Sequence, residues 1–179
     1  MIRGGTGGGN TITGLNFEKE TDIRHIFSSM PGYKLKQGTI GWKILYNGKE
    51  VAQSYRKNDL YRFFDEKKLN WKSVISKKLL PDDALYIVAN NTLFIIEIKC
   101  QKVPGSVDEK LQTCDFKKKQ YKKLMSLLNI EVEYIYILND WFKQPGYKDV
   151  LHYIISVNCQ YYFNYLPLQK LGLPVPTNS

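Results

Sequence analysis

The feature that most constrains this chain is a pair of strongly apolar runs, residues 84–89 and 92–98, with charges gathered at one end only. Asn90 and Asn91 separate the runs, and asparagine tolerates the left-handed backbone of a tight turn, so the pair reads as a β-hairpin. Asp82 and Asp83 then stand where one strand begins, and Glu97 and Lys99 near the end of its partner. Side chains alternate across a strand. Glu97 and Lys99 therefore share a face with Ile95 behind them, while Ile96 and Ile98 point the other way into apolar packing. Ionised groups are rarely carried into an apolar environment without a partner. Two accounts fit: a simple ion pair at a strand end, or two carboxylates converging on a hard divalent cation. In the second, the lysine positions and helps deprotonate a water, or stabilises charge building on a phosphate.

Around this hairpin the periodicities predict further elements. Residues 14–29 read as an amphipathic helix with Leu15, Ile23, Ile26 and Phe27 inward and Glu18, Asp22 and His25 on the other face. Residues 42–55 alternate around Asn47-Gly48, the dipeptide suited to a primed two-residue turn. A helix over 58–68 has Asn58 or Asp59 as its cap. Ser106 and Glu109 form an S-x-x-E capping box that opens a helix running to residue 128, its stripe made of Val107, Leu111, Cys114, Tyr121, Met125 and Leu128. A strand over 131–138, a helix over 148–157 and a strand over 160–165 complete the order. It implies an α/β (α+β) fold, a mixed central sheet flanked by helices.

Composition narrows the functional classes. The length of 179 residues suits one core, read as a single domain over 14–179 after a flexible glycine-rich segment 1–13. No run reaches the roughly 18 apolar residues of a membrane span, and the start lacks the apolar centre of a secretory signal. The expectation is a soluble, cytoplasmic protein with no membrane partner. Cys100, Cys114 and Cys159 lack metal-ligand spacing and read as free thiols. A net charge of +9 favours a polyanionic partner, although lysine runs are also common on solvated helix faces. The segment GGTGGGNTITG lacks the Lys-Ser/Thr of a phosphate loop, and no Gly-x-Ser-x-Gly elbow occurs.

Pro81-Asp82 followed after an apolar run by Glu97-Ile98-Lys99 resembles the motif of the PD-(D/E)XK nuclease superfamily, and in particular small type II restriction endonucleases. Helix, hairpin, helix, strand is also the order of that family's core, and the resemblance covers residues 14–163. It implies a restriction-endonuclease-like core and Mg²⁺-dependent hydrolysis of DNA, with Mn²⁺ as a substitute ion. Asp82 matches the motif aspartate, with Asp83 as its alternative, Glu97 the second acid and Lys99 the lysine. Glu18 is the candidate for an acid from the first helix, and Gln101 for a glutamine seen in many such sites. The metal ligands would be Asp82, Glu97 and Glu18, with the helix lysines Lys110 and Lys117 and the residues Lys49, Arg56, Lys57 and Arg62 contacting phosphate. A homodimer on double-stranded DNA is the expectation for a palindromic site. The alternatives are a repair or junction nuclease, and a non-catalytic basic DNA-binding module.

Overall fold

The computed structural model describes residues 13–103, 105 and 107–177. In chain order the elements are β1 (Gly14–Asn16), α1 (Ile23–Ser28), β2 (Tyr33–Gln37), β3 (Trp42–Tyr46), β4 (Lys49–Tyr55), α2 (Asn58–Glu66), β5 (Asp83–Ile87) and β6 (Thr92–Lys99). They continue with α3 (Val107–Leu111), α4 (Cys114–Ser126), β7 (Glu131–Leu138), α5 (Lys148–Ser156), β8 (Gln160–Phe163), β9 (Tyr165–Pro167) and α6 (Leu168–Leu171). Strands β2 to β8 form one sheet in sequence order, antiparallel from β2 to β6 and parallel across β6, β7 and β8. The parallel step needs a long crossover, which α3 and α4 supply. Strands β1 and β9 pair as a separate two-stranded ribbon.

Alternation along the central strands divides the interior in two. Ala84, Leu93, Ile95, Tyr134 and Tyr136 pack with Leu60 and Phe64 of α2 and with Tyr121 and Leu124 of α4. Leu85, Ile87, Phe94, Ile96, Ile135 and Ile137 pack on the opposite face with Ile23 and Phe27 of α1, Leu15 of β1 and Leu168 of α6. Both faces of β5, β6 and β7 are thus covered, which is why these strands read as near-continuous apolar runs. The sheet flanked by helices is as expected. Among the described residues no helix is long and apolar enough to cross a membrane.

Several boundaries differ from the sequence reading. Helix α1 is only six residues long, and the expected first half of a helix over 14–29 is instead β1 and a loop. Asn16 accepts the Glu18 N–H in a local turn, and Phe17 N–H bonds Asn164, a partner far away in sequence. Glu18 accordingly lies outside the helix. At α2 neither Asn58 nor Asp59 caps the helix; Lys57, at φ +46°, precedes it with no side-chain cap. The long helix over 106–128 is broken into α3 and α4 at Gln112 and Thr113, where Thr113 Oγ1 donates to the Lys110 carbonyl and local bonds tighten to i→i−3. The capping serine Ser106 lies outside the described residues, as does the glycine-rich stretch 1–12. Thr13, placed in that stretch by the sequence reading, bonds through its carbonyl to Leu168 N–H. The final strand divides at Asn164, φ +55°, sending β9 to the ribbon. Strand β2 and helix α6 carry no strong pattern and were not anticipated.

The Asn47-Gly48 turn is the expected one: both residues have positive φ, 47° and 82°, and Tyr46 faces Lys49. The β5–β6 link is wider than Asn90-Asn91 alone, since Ile87 faces Thr92 across residues 88–91. Two glycines separate conformational strain from contact. A Cβ on Gly48 (φ +82°) would meet nothing within 4 Å, whereas one on Gly41 (φ +63°) would fall 2.2 Å from the Ser54 carbonyl oxygen. Gly48→Ala is expected to cost about 1 kcal/mol from backbone strain, and Gly41→Ala distinctly more, because the β4 backbone must shift. Urea unfolding of both variants checks the order; equal midpoints would contradict the packing at Gly41.

Candidate active site

Strand pairing builds the site. Asp83 faces Ile96 across the β5–β6 ladder, so the next position outward sets Asp82 against Glu97. These two share the face of Ile95 and Ala84, which packs on α2 and α4. Between them stands the Lys99 ammonium, 2.7 Å from Glu97 Oε2, 3.3 Å from Asp82 Oδ2 and 3.4 Å from the Ile98 carbonyl oxygen. Asp82 Oδ2 also accepts the Ile98 N–H at 3.0 Å. A second cation, Lys117 of α4, comes within 3.6 Å of Glu97 Oε1. The Glu97 side chain is 7% exposed and that of Asp82 41%, so the cluster opens to solvent on the Asp82 side.

Burial works against the charge on Lys99, but the Glu97 carboxylate and then Asp82 outweigh it and hold the pKa above the ordinary lysine value. Lys99 is therefore a fixed positive group, suited to stabilising negative charge rather than to taking a proton from water. Three oxygens converging on one cation are also hard donors of the kind that Mg²⁺ selects. Such an ion commonly uses one or two carboxylates and completes its shell with water and substrate oxygen. Asp82 and Glu97 fit that requirement. Among the described residues no group of three or more His, Cys, Asp or Glu side chains gathers as a metal site.

Asp83, the alternative to Asp82, points to the opposite face. It is 1% exposed, accepts from Ser54 Oγ at 3.2 Å, and has an Oδ2 with no hydrogen-bond partner. Burial pushes its pKa up to about 7 against the opposing pull of Arg56 and Ser54. Arg56, expected to contact phosphate, is committed here instead. Its Nη1 bonds Asp22 Oδ2 at 2.7 Å, its Nε donates to the Asp82 carbonyl at 3.3 Å, and Nε stands 3.7 Å from Asp83 Oδ2. Asp22 in turn caps α1 through the Arg24 N–H and pairs with the Arg24 guanidinium at 2.6 Å. Arg56 is thus a strut from the start of α1 to the backbone of Asp82, and no sequence pattern signalled it.

The other expected residues are dispersed. Glu18 is exposed and lines a cleft of about 650 Å³ with Glu20, His25 and Tyr165, and the structure does not bring it to Asp82 and Glu97. Gln101 is buried, but its amide has no hydrogen-bond partner among the described residues; its backbone is held reciprocally by Asn139. Lys57 is exposed, and its N–H holds the Pro81 carbonyl at 3.2 Å beside the site. Arg62 pairs with Asp59 at 3.3 Å, and Lys110 is exposed on α3. Lys49 begins β4 at the end of the sheet away from Asp82; it is six positions from Tyr55 along the strand, roughly 20 Å. Cys100, Cys114 and Cys159 are free thiols, the last two buried. No protein-family model, curated protein or solved structure matches the chain.

The Arg24 side chain, through its hydrogen bond, does most to hold the Asp22 carboxyl well below the usual carboxylate range, and burial only partly offsets it. An acid whose folded pKa is depressed contributes stability that is fully present above its unfolded value, near 4, and is lost as the pH falls toward the folded one. Asp22→Asn keeps the cap but loses the ion pairs, and is expected to cost about 2 kcal/mol at pH 7. The gap from the wild type should narrow progressively below about pH 4. Denaturant titrations at several pH values measure it, and a gap independent of pH would contradict the assignment.

Proposed function

We propose that this protein is a divalent-metal-dependent DNA endonuclease of the PD-(D/E)XK type, acting as a type II restriction enzyme. The observation that carries this reading is the convergence of Asp82 and Glu97 on the Lys99 ammonium at the solvent-facing end of a buried hairpin. The order α2, the β5–β6 hairpin, α3 and α4, then β7 supports it, being the helix, hairpin, helix, strand order of the motif resemblance. So does the net charge of +9.

In this reading Asp82 and Glu97 hold Mg²⁺, with Mn²⁺ as a substitute. The bound ion would supply Lewis acidity toward a scissile phosphate and an acidified water for in-line attack. Lys99, whose ammonium lies 2.7 Å from Glu97 and 3.3 Å from Asp82, would stabilise the negative charge that accumulates on the phosphate. Lys117 neutralises the second oxygen of Glu97 and ties α4 to the site. Asp83 takes no part in the chemistry; with Ser54 and Arg56 it fixes the backbone that presents Asp82. A two-fold dimer would cut both strands of a palindromic site.

Plasmid DNA incubated with Mg²⁺ should give discrete fragments. Glu97→Ala and Lys99→Ala are each expected to lower cleavage by at least about a hundredfold, the usual loss on removing one preorganised charge-stabilising group, while duplex affinity stays within a few-fold. Wild-type rates in either variant would rule the site out. Nicking confined to branched substrates would select a repair nuclease, and the absence of all cleavage would leave a DNA-binding module with a static ion cluster.

A further inference from the structure

Several cations of the elements around the site already have carboxylate partners. Arg56 is engaged by Asp22, Lys99 and Lys117 by Glu97, Lys118 by Glu133 and Arg62 by Asp59. The stretch 67–78 is different. It carries Lys67, Lys68, Lys72, Lys77 and Lys78 with no aspartate or glutamate before Asp82, and all five are exposed. None of the five has an ion-pair partner among the described residues.

Three of these lysines, Lys67, Lys72 and Lys78, are held without being neutralised. Lys78 Nζ lies 4.8 Å from the Tyr61 ring centroid and 5.1 Å from that of Trp71, Lys72 Nζ lies 5.7 Å from Trp71, and Lys67 Nζ lies 5.7 Å from Phe63. A ring face orders an ammonium yet leaves its full charge available to a second partner. The following residue is pinned as well. The Leu79 carbonyl accepts from Tyr61 Oη at 3.0 Å and from Tyr121 Oη at 3.1 Å, and Leu79 N–H donates to Tyr61 Oη at 2.7 Å. Pro81 is held by Lys57 N–H, and Asp82 follows.

Asp82 is four positions along the chain from Lys78, so their backbones stand at most about 14 Å apart. One strand of a duplex carries a phosphate about every 3.4 Å of helix axis. A strand with one phosphate at Asp82 and Glu97 therefore has phosphates within about four positions of Lys78.

We propose that the lysine and aromatic stretch 67–78 is the surface on which the phosphate backbone of double-stranded DNA lies as it reaches the Asp82–Glu97 site. The placement of the reacting phosphate rests on the nuclease reading; the affinity of the surface for DNA does not. Contacts here are to the backbone and carry no base sequence.

The test uses the full chain carrying Glu97→Gln, so that binding is measured with Mg²⁺ present and no cleavage. A labelled duplex is titrated across a salt series with this protein, with a version carrying Lys72→Gln, Lys77→Gln and Lys78→Gln, and with a charge-matched control. The control carries Lys34→Gln, Lys36→Gln and Lys170→Gln, exposed lysines of β2 and α6. Losing three phosphate contacts should lower affinity at least about tenfold at 0.1 M salt and flatten the plot of log affinity against log salt by about 2.7. The control should keep its slope. Equal losses in both triple variants would overturn the proposal. So would a loss confined to phosphatidylserine vesicles with duplex binding intact. A wild-type chain that binds through this surface but never cuts supports the surface and removes the cleavage reading; one that cuts, with the 72/77/78 variant binding normally, does the reverse.

Discussion

The antiparallel pairing of β5 with β6 sets the terms for everything else near the site, because it places Asp82 opposite Glu97 at the margin of an apolar face. A glutamate that is 5% exposed in such a place needs a cation, and the next residue on its own face of the strand provides one. The period of two along β6 thus does two jobs at once. Ile95 anchors the strand in the core, and Glu97 and Lys99 carry the same face out to solvent. A slip of one residue would turn Glu97 and Lys99 to the opposite face, away from Asp82, so the apolar contacts of β6 and the position of the carboxylates are specified together.

The two adjacent aspartates show how the sheet divides labour between its faces. Asp82 turns toward α2 and α4 and joins the open cluster, while Asp83 turns toward α1 and is shut in with Ser54 and Arg56. Arg56 bridges this second group to Asp22, so the beginning of α1 and the backbone of Asp82 are linked through one guanidinium. Planar, fork-shaped and permanently charged, arginine suits a post that must meet a carboxylate and a carbonyl in different directions.

How much of this was legible beforehand depended on whether a partner was local. Strand β7 could be read to the residue because Glu131–Leu138 is β-branched, aromatic and buried on both sides, and the Asn47-Gly48 turn because its chemistry is confined to two residues. The pairing of Asp82 with Glu97 and Lys99 was legible for the same reason, as it follows from one hairpin. What escaped was set by distant chain. Residues 14–16 form a strand only because β9 lies alongside, about 150 positions later. Thr113 breaks a helix by a hydroxyl bond that competes with an otherwise helical pattern. Arg56 looked like one more exposed cation, since its carboxylate partner lies 34 positions earlier, across the fold.

The ammonium of Lys99 has one further consequence. Because the chain brings its own counter-ion to Asp82 and Glu97, these carboxylates are already satisfied in the protein alone. Folding free energy is then not borrowed from a divalent ion, as it is in small domains that unfold when their metal is stripped away. Chelators should leave the melting temperature where it was, and any cation drawn to these two carboxylates would have to displace a tethered competitor.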